Sequence, residues 1–353
     1  MPQSFCLFLI LFCCKALGQN LRLRVDASNA LQTFKFISAE TKDMAEAERI
    51  LLLPGTIGMI EHDGQFDKQL TKQNFINELT NQGASTDAFG FARIRGNIRN
   101  IAETITILQD SMERITKSIE ENLSPYVHKL DGKPINVFFL LGGNSDGYST
   151  NDSTFYLELQ FFGNDVEGIV NIVTHEVYHI VQQKAYGNSG RMGEALPQRD
   201  KAMHLLLENI YLEGSATFIA NPLTINNPKE YTKSQQEKYR RNVNKLKESF
   251  CLLDALVLAA NSVRIDKELL YNIGYGGQWD SPLYFVGFQI CKELEADNRK
   301  YFIKRYLGSN PIDFLIDYIK LYQRKPEIKY RFSKETETAI FKLKDTLNKI
   351  GYH

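Results

Sequence analysis

Apolar residues recur at helical spacing along most of this 353-residue chain. Ile94, Ile98, Ile101, Ile105, Leu108, Met112, Ile115 and Ile119 alternate by four and three, the seam of a long helix. A dimeric coiled coil would show this seam too, but a bundle helix inside one globule is the simpler reading. Val166, Ile169, Val170, Val173, Val177, Ile180 and Val181 predict a second helix with a broad buried face. Asn164 stands as its N-cap, and Glu167 three residues on completes a capping box. Residues 26–79 read as helical with breaks at Pro54 and Gly55 and around residues 62–64. From Pro228 onward the helical period returns in four segments: one through Ala260, one from Pro282 through Leu294, one around 311–322 and one over 333–350. Asp280 or Ser281 starts the second of these, since proline favours the first helical turn.

Only one stretch changes period. Residues 135–141 form a short apolar run of strand type, residues 142–150 a glycine-rich turn, and residues 154–162 alternate polar and apolar as a half-exposed strand does. The fold class predicted is therefore α+β and predominantly helical, with a small mixed sheet delivered just before the helix of residues 166–182. The divisions expected are a leader at 1–18, an N-terminal helical region at 19–130, a central core at 131–222 and a C-terminal helical region at 223–353.

The leader reading rests on the apolar run from Phe5 to Cys14, followed by Ala16, Leu17 and Gly18, which leaves Gln19 as first mature residue. It predicts a secreted or periplasmic protein. Large Phe12 before Cys13 argues against a lipoprotein anchor, and no later segment is long and apolar enough to span a membrane. Removal of the leader takes Cys6, Cys13 and Cys14 with it, so only Cys251 and Cys291 remain, able to pair or to pack as small hydrophobes. Lys and Arg total 42 and so do Asp and Glu, which gives no support for nucleic-acid binding. The charged run over 229–247 is interleaved with acids and reads as a solvated helix face.

The chemistry lies in the buried-face helix, which carries the run HEVYH. His175 and His179 are one turn apart, so both imidazoles can serve one metal ion. Glu176, about 100° round the helix, is placed to act as a general base on a water held there. A structural zinc site takes four protein ligands, whereas a catalytic one takes three and leaves a position for water. Glu213 is the third ligand favoured, because an apolar helical pattern of Leu205, Leu206, Ile210, Leu212, Ala216 and Ile219 surrounds it, and a carboxylate there needs a partner. Glu194, His204 and Glu208 are its rivals, and His204 with Glu208, four apart, could pair with each other. The glycine-containing loop over 184–200 lies between the two ligand segments and could act as a lid. His62 is isolated from the motif.

HEVYH followed by LEGSAT resembles the gluzincin group of zinc metallopeptidases. The resemblance implies His175, His179 and Glu213 as ligands of one zinc ion, with Glu176 as base and a zincin-like core. Thr217 departs from the pattern, because the thermolysin-like branch has an aspartate there, so the residues supporting the ligands must differ. More narrowly, FFLLGGNSDGY, HEVYH, LEGSAT and SPLYFVGFQICKELE make the mature chain similar to a family of secreted zinc-dependent peptidases. Such peptidases bind an extended peptide or protein substrate along a sheet edge; Gly142, Gly143 and Gly147 would allow close backbone approach there or merely form turns. Tyr284, with Tyr275 as rival, could stabilise the oxyanion. Two alternatives stand beside peptide hydrolysis: a zinc hydrolase of another ester or amide, and an inactive helical binding protein.

Overall fold

The computed structural model describes residues 21–82, 86–128, 133–151, 153–187, 195–261 and 266–351. The expected leader, Gln19 and Glu194 lie outside them. The fold is predominantly helical α+β, as the periodicity predicts, and the one sheet among the described residues explains where the helices go. Strands β1 (Leu23–Asp26), β2 (Ile135–Leu140), β3 (Gly147–Asn151) and β4 (Thr154–Glu158) lie in the order β1-β2-β4-β3. The first three in space are parallel and β3 is an antiparallel edge.

Two of these strands differ from expectation. β4 is buried along its whole length, although its alternation predicts a half-exposed strand. The reason is that helices cover both faces. On one face pack α1 (Ser28–Ser38) and α3 (Pro54–Asp63), which follows α2 (Met44–Leu51); a side chain at Gly58 would collide with the Tyr156 hydroxyl. The other face meets the long helices described next. β3 occupies part of what reads as a glycine-rich turn, because Gly142 and Gly143 make the turn at φ 105° and 101° and release the chain early.

After α4 (Lys72–Thr80) and α5 (Phe91–Gly96), α6 (Ile98–Leu123) runs along α7 (Val166–Tyr186). Ile101, Ile105, Leu108, Ile115 and Ile119 are its buried seam, so it is a bundle helix within the globule; Ile94 belongs to α5, beyond a break at Asn97. The chain continues through α8 (Gln198–Ile219), α9 (Glu230–Asn244), α10 (Leu246–Ala260), α11 (Lys267–Tyr275), α12 (Pro282–Asp297), α13 (Pro311–Arg324) and α14 (Lys334–Lys349). The single amphipathic segment expected before Ala260 is thus two helices, parted at Lys245.

The apolar interior falls into two clusters. One joins the sheet to α1–α7 and takes in Ala216 of α8 and Leu307, while the other is built from Tyr186 at the end of α7 and from α8 onward. α7 lies mainly in the first and α8 mainly in the second, so a site formed between them lies at the junction. Cys251 is exposed and Cys291 buried, and both are free thiols. Among the described residues no helix is long and apolar enough to cross a membrane.

Candidate metal centre

α7 begins one residue later than the sequence predicts. Asp165, not Asn164, is the N-cap: its Oδ1 accepts the Gly168 N–H at 2.9 Å, while Oδ2 accepts the Thr232 N–H at 2.7 Å. One carboxylate therefore caps α7 and ties the first turn of α9 against it. The apolar stripe of Ile169, Val173, Val177 and Ile180 is buried, which leaves the opposite flank to carry the histidines.

His175 and His179 point the same way, their Nε2 atoms 3.1 Å apart. α8 brings Glu213 to both: Oε2 lies 3.2 Å from His179 Nε2 and 3.7 Å from His175 Nε2. Each side chain retains between 12% and 22% of its exposure, so the cluster sits in the wall of the protein with one side accessible. Among the described residues it is the only group of three or more His, Cys, Asp or Glu side chains whose ligand atoms converge within 4.8 Å.

The donor set fits a zinc ion. Two imidazole nitrogens and a carboxylate oxygen are the atoms zinc takes in three-ligand sites, and the Glu213 Oε2 atom is buried with no hydrogen-bond partner. Three lone-pair donors facing one another repel unless a cation or proton lies among them. The titration behaviour says the same. Burial by itself would lower the His179 imidazole, but the Glu213 charge pushes it up to about 9. Burial would likewise raise Glu213, yet the charge of His179 holds it well below the usual carboxylate range.

The support of the ligands comes from Gln182, which the sequence reading does not single out. His179 Nδ1 lies 2.8 Å from Gln182 Oε1, an acceptor, so Nδ1 carries the hydrogen and Nε2 keeps its lone pair for a metal. Gln182 Nε2 in turn donates to the Leu212 carbonyl at 3.1 Å and to Ser215 Oγ at 3.0 Å, on either side of Glu213. A single amide thus fixes one candidate ligand and grips the helix that carries another.

Glu176 is half-buried, and its charge acts on His179, Tyr231 and Tyr284. The Tyr284 ring lies parallel to His175 at a centroid separation of 6.3 Å. Burial and the Glu213 charge raise its hydroxyl, which stays a proton donor at any ordinary pH. Its rival Tyr275 is buried, and its hydroxyl is engaged by the Leu206 carbonyl. Tyr231, in the first turn of α9, packs its ring on Phe162 and over Gly168, and is a second phenol bordering Glu176. Long-range contacts, Asp165 with Thr232 and Phe162 with Tyr231 itself, place it there, so no local sequence signal could find it.

Tyr284 reaches the cluster because α8 and α12 touch through backbone. A Cβ on Gly214 would stand 2.3 Å from Gly287 Cα, and one on Gly287 would stand 1.9 Å from the Ile210 carbonyl oxygen. The glycine after Glu213 is thus explained by a helix crossing.

The remaining candidates fall elsewhere. His204 and Glu208 pair with each other at 3.3 Å, outside the cluster; burial moves His204 down to about 4 and Glu208 up to about 7. His62 stacks on Tyr148 at 3.8 Å and contacts Asp63 at 2.8 Å. Gly142 and Gly143 serve the turn itself, since a side chain at Gly143 would strike the Glu158 carboxyl.

A histidine pair one turn apart, met by a carboxylate from a second helix, defines a protein with a helical His–His–Glu metal cradle. Residues 47–327 match the model of a family described as "putative zinc dependent peptidase". That is well over half of the chain, and the chain belongs to this family. No curated protein and no solved structure matches it.

Proposed function

We propose that the chain is a metallopeptidase of the gluzincin type, exported by its leader, that hydrolyses peptide bonds with one zinc ion held by His175, His179 and Glu213. The observation that carries this reading is the convergence of two Nε2 atoms and the buried Glu213 Oε2, which has no hydrogen-bond partner, with the Glu176 charge acting on His179. Zinc in that cradle supplies a Lewis acid for the scissile carbonyl and lowers the pKa of water. Glu176 removes the proton of the attacking water and passes it to the leaving amine. The Tyr284 hydroxyl donates to the oxygen on which negative charge develops. β3 has β4 on one side only and contacts α7, so an extended substrate can add along its free edge by backbone hydrogen bonds that ignore side-chain identity.

The test uses residues 19–353, measuring metal content and then digestion of a peptide library. About one zinc per chain is expected in the wild type and in Glu208→Ala, and little in Glu213→Ala. Glu176→Gln should keep the metal and lose roughly 10²- to 10⁴-fold in rate. Zinc without cleavage of any peptide, but with hydrolysis of small esters or amides, would transfer the reading to a non-peptide hydrolase. Absence of zinc after refilling would leave a helical binding protein.

A further inference from the structure

The C-terminal half holds a cavity, of about 480 Å³, that the peptidase reading does not use. It opens between the end of α12, the short 3-10 turn Phe302–Tyr306 and one face of α13. Its apolar floor is Leu294 and Phe302; Arg305, Lys320 and Arg324 stand around it with Asp317 as the single acid of the lining.

The charges do not cancel. Asp317 is shared between Lys320 at 3.4 Å and Arg305 at 3.7 Å, and Asp297, outside the lining, is shared between Arg324 at 3.2 Å and Lys325 at 2.6 Å. Four cations against two carboxylates leave a surplus of two positive charges at the mouth. Arg305 is the least satisfied of them. Its guanidinium lies over the rings of Phe302 and Tyr306, 5.0 Å and 5.5 Å from their centroids. At 3.7 Å from Asp317 it makes no hydrogen bond with any described residue, while the Tyr306 hydroxyl takes a place on that same carboxylate at 2.9 Å. An arginine held by aromatic stacking, with its planar fork of donors unengaged, is pre-organised for an anion with two oxygens in one plane. Asn298 and Gln323 add amides to the lining, and the volume suits a small molecule.

We propose that this cavity is a binding site for a small dianion with an apolar body, a monosubstituted phosphate or a dicarboxylate. Arg305 grips the charged group, Lys320 and Arg324 neutralise it, and the Leu294–Phe302 floor covers the apolar part. The site is independent of the metal centre.

Calorimetric titration of the zinc-loaded mature protein with phenyl phosphate tests it, with inorganic phosphate and phenol as partial probes. Saturable binding of phenyl phosphate is expected, tighter than inorganic phosphate, with none for phenol, and weaker as sodium chloride rises. Arg305→Gln should weaken it by about tenfold or more, and Arg305→Lys, which keeps charge but not the fork, should lie between. Lys320→Gln with Arg324→Gln gives a second route should Arg305→Gln melt early. Because a phosphate could also visit a zinc ion, Glu213→Ala is titrated in parallel and should bind as the wild type does. Failure to saturate, undiminished binding in both sets of pocket variants, or loss of binding in Glu213→Ala would each overturn the site.

Discussion

Gln182 does more for the metal cluster than its place at the end of the HEVYH helix advertises. It fixes the tautomer of His179 and holds α8 beside α7, so its removal should loosen two ligands at once. Gln182→Leu is expected to lower zinc affinity by roughly 10- to 100-fold, the usual effect of losing a partner behind a ligand, while the folded protein persists. Competition with a chromogenic chelator reads this directly; unchanged affinity would mean that helix packing alone sets the ligand geometry. Glu158 illustrates a different cost. It is fully buried, and burial, reinforced by the Asp63 charge, pushes its carboxyl up to about 10. Its Oε2 still accepts the Ser145 N–H at 2.9 Å and thereby holds the turn before β3. Because the folded pKa lies above the unfolded one, the native state keeps a proton that the unfolded chain has lost. This group therefore removes stability as pH climbs from about 4.5 toward 10, by up to about 1.4 kcal/mol per pH unit. Glu158→Gln keeps an acceptor without the proton, so denaturant melts at pH 5 and pH 9 should diverge less than in the wild type. A variant with the same pH slope as the wild type would show that Glu158 is ionised in the fold.

At the scale of elements, the α8–α12 crossing decides whether Tyr284 arrives opposite Glu213. Gly287→Ala places a methyl group against the Ile210 carbonyl, in backbone that cannot turn aside. The helices must separate, at a cost of about 1–3 kcal/mol or more, and Tyr284 moves with α12. Thermal melting should report the loss, and zinc affinity should fall less than catalytic rate, since His175 and His179 are on α7. Equal losses in both would place Tyr284 among the supports of Glu213 and not at the reacting oxygen. The helices themselves were legible because each carries its own period; side-chain caps add to it at some of them, as where Asn310 and Ser333 accept the N–H groups of Ile312 and Thr336. His175 and His179 were legible because i, i+4 geometry is local, and Glu213 because a carboxylate in an apolar stripe must answer to something. What lay hidden depends on distant chain. β1 is four residues long, too short for a period to register. The burial of β4 follows from helices on both faces, which no alternation within the strand records. Gln182 resembles any polar residue on a helix until α8 is laid beside it.

For the molecule as a whole, the proposed zinc ligands come from two helices that pack mainly into different hydrophobic clusters. His175 and His179 belong to a helix buried mainly in the sheet-bearing cluster, and Glu213 to one buried mainly in the other. Gln182 bridges the same boundary with neutral hydrogen bonds, each worth about 0.5–1.5 kcal/mol net. A zinc ion gripping both helices would add a far stronger tie, since a ligand present at about a thousand times its dissociation constant stabilises by about 4 kcal/mol. Chelation should therefore lower the melting temperature by several degrees and broaden the transition as the halves lose their coupling. Hydrogen exchange should locate the loss: the second half of α7 and the stretch of α8 around Glu213 should lose protection, while β2 and β4, buried between helices on both faces, should not. Restored zinc should reverse both changes in the wild type and in Glu176→Gln, because that carboxylate is not among the ligands, and in Glu213→Ala it should reverse neither. A melting curve indifferent to chelation, in protein shown to have carried zinc, would mean that the two clusters hold together without the ion, and that it is kept there for chemistry alone.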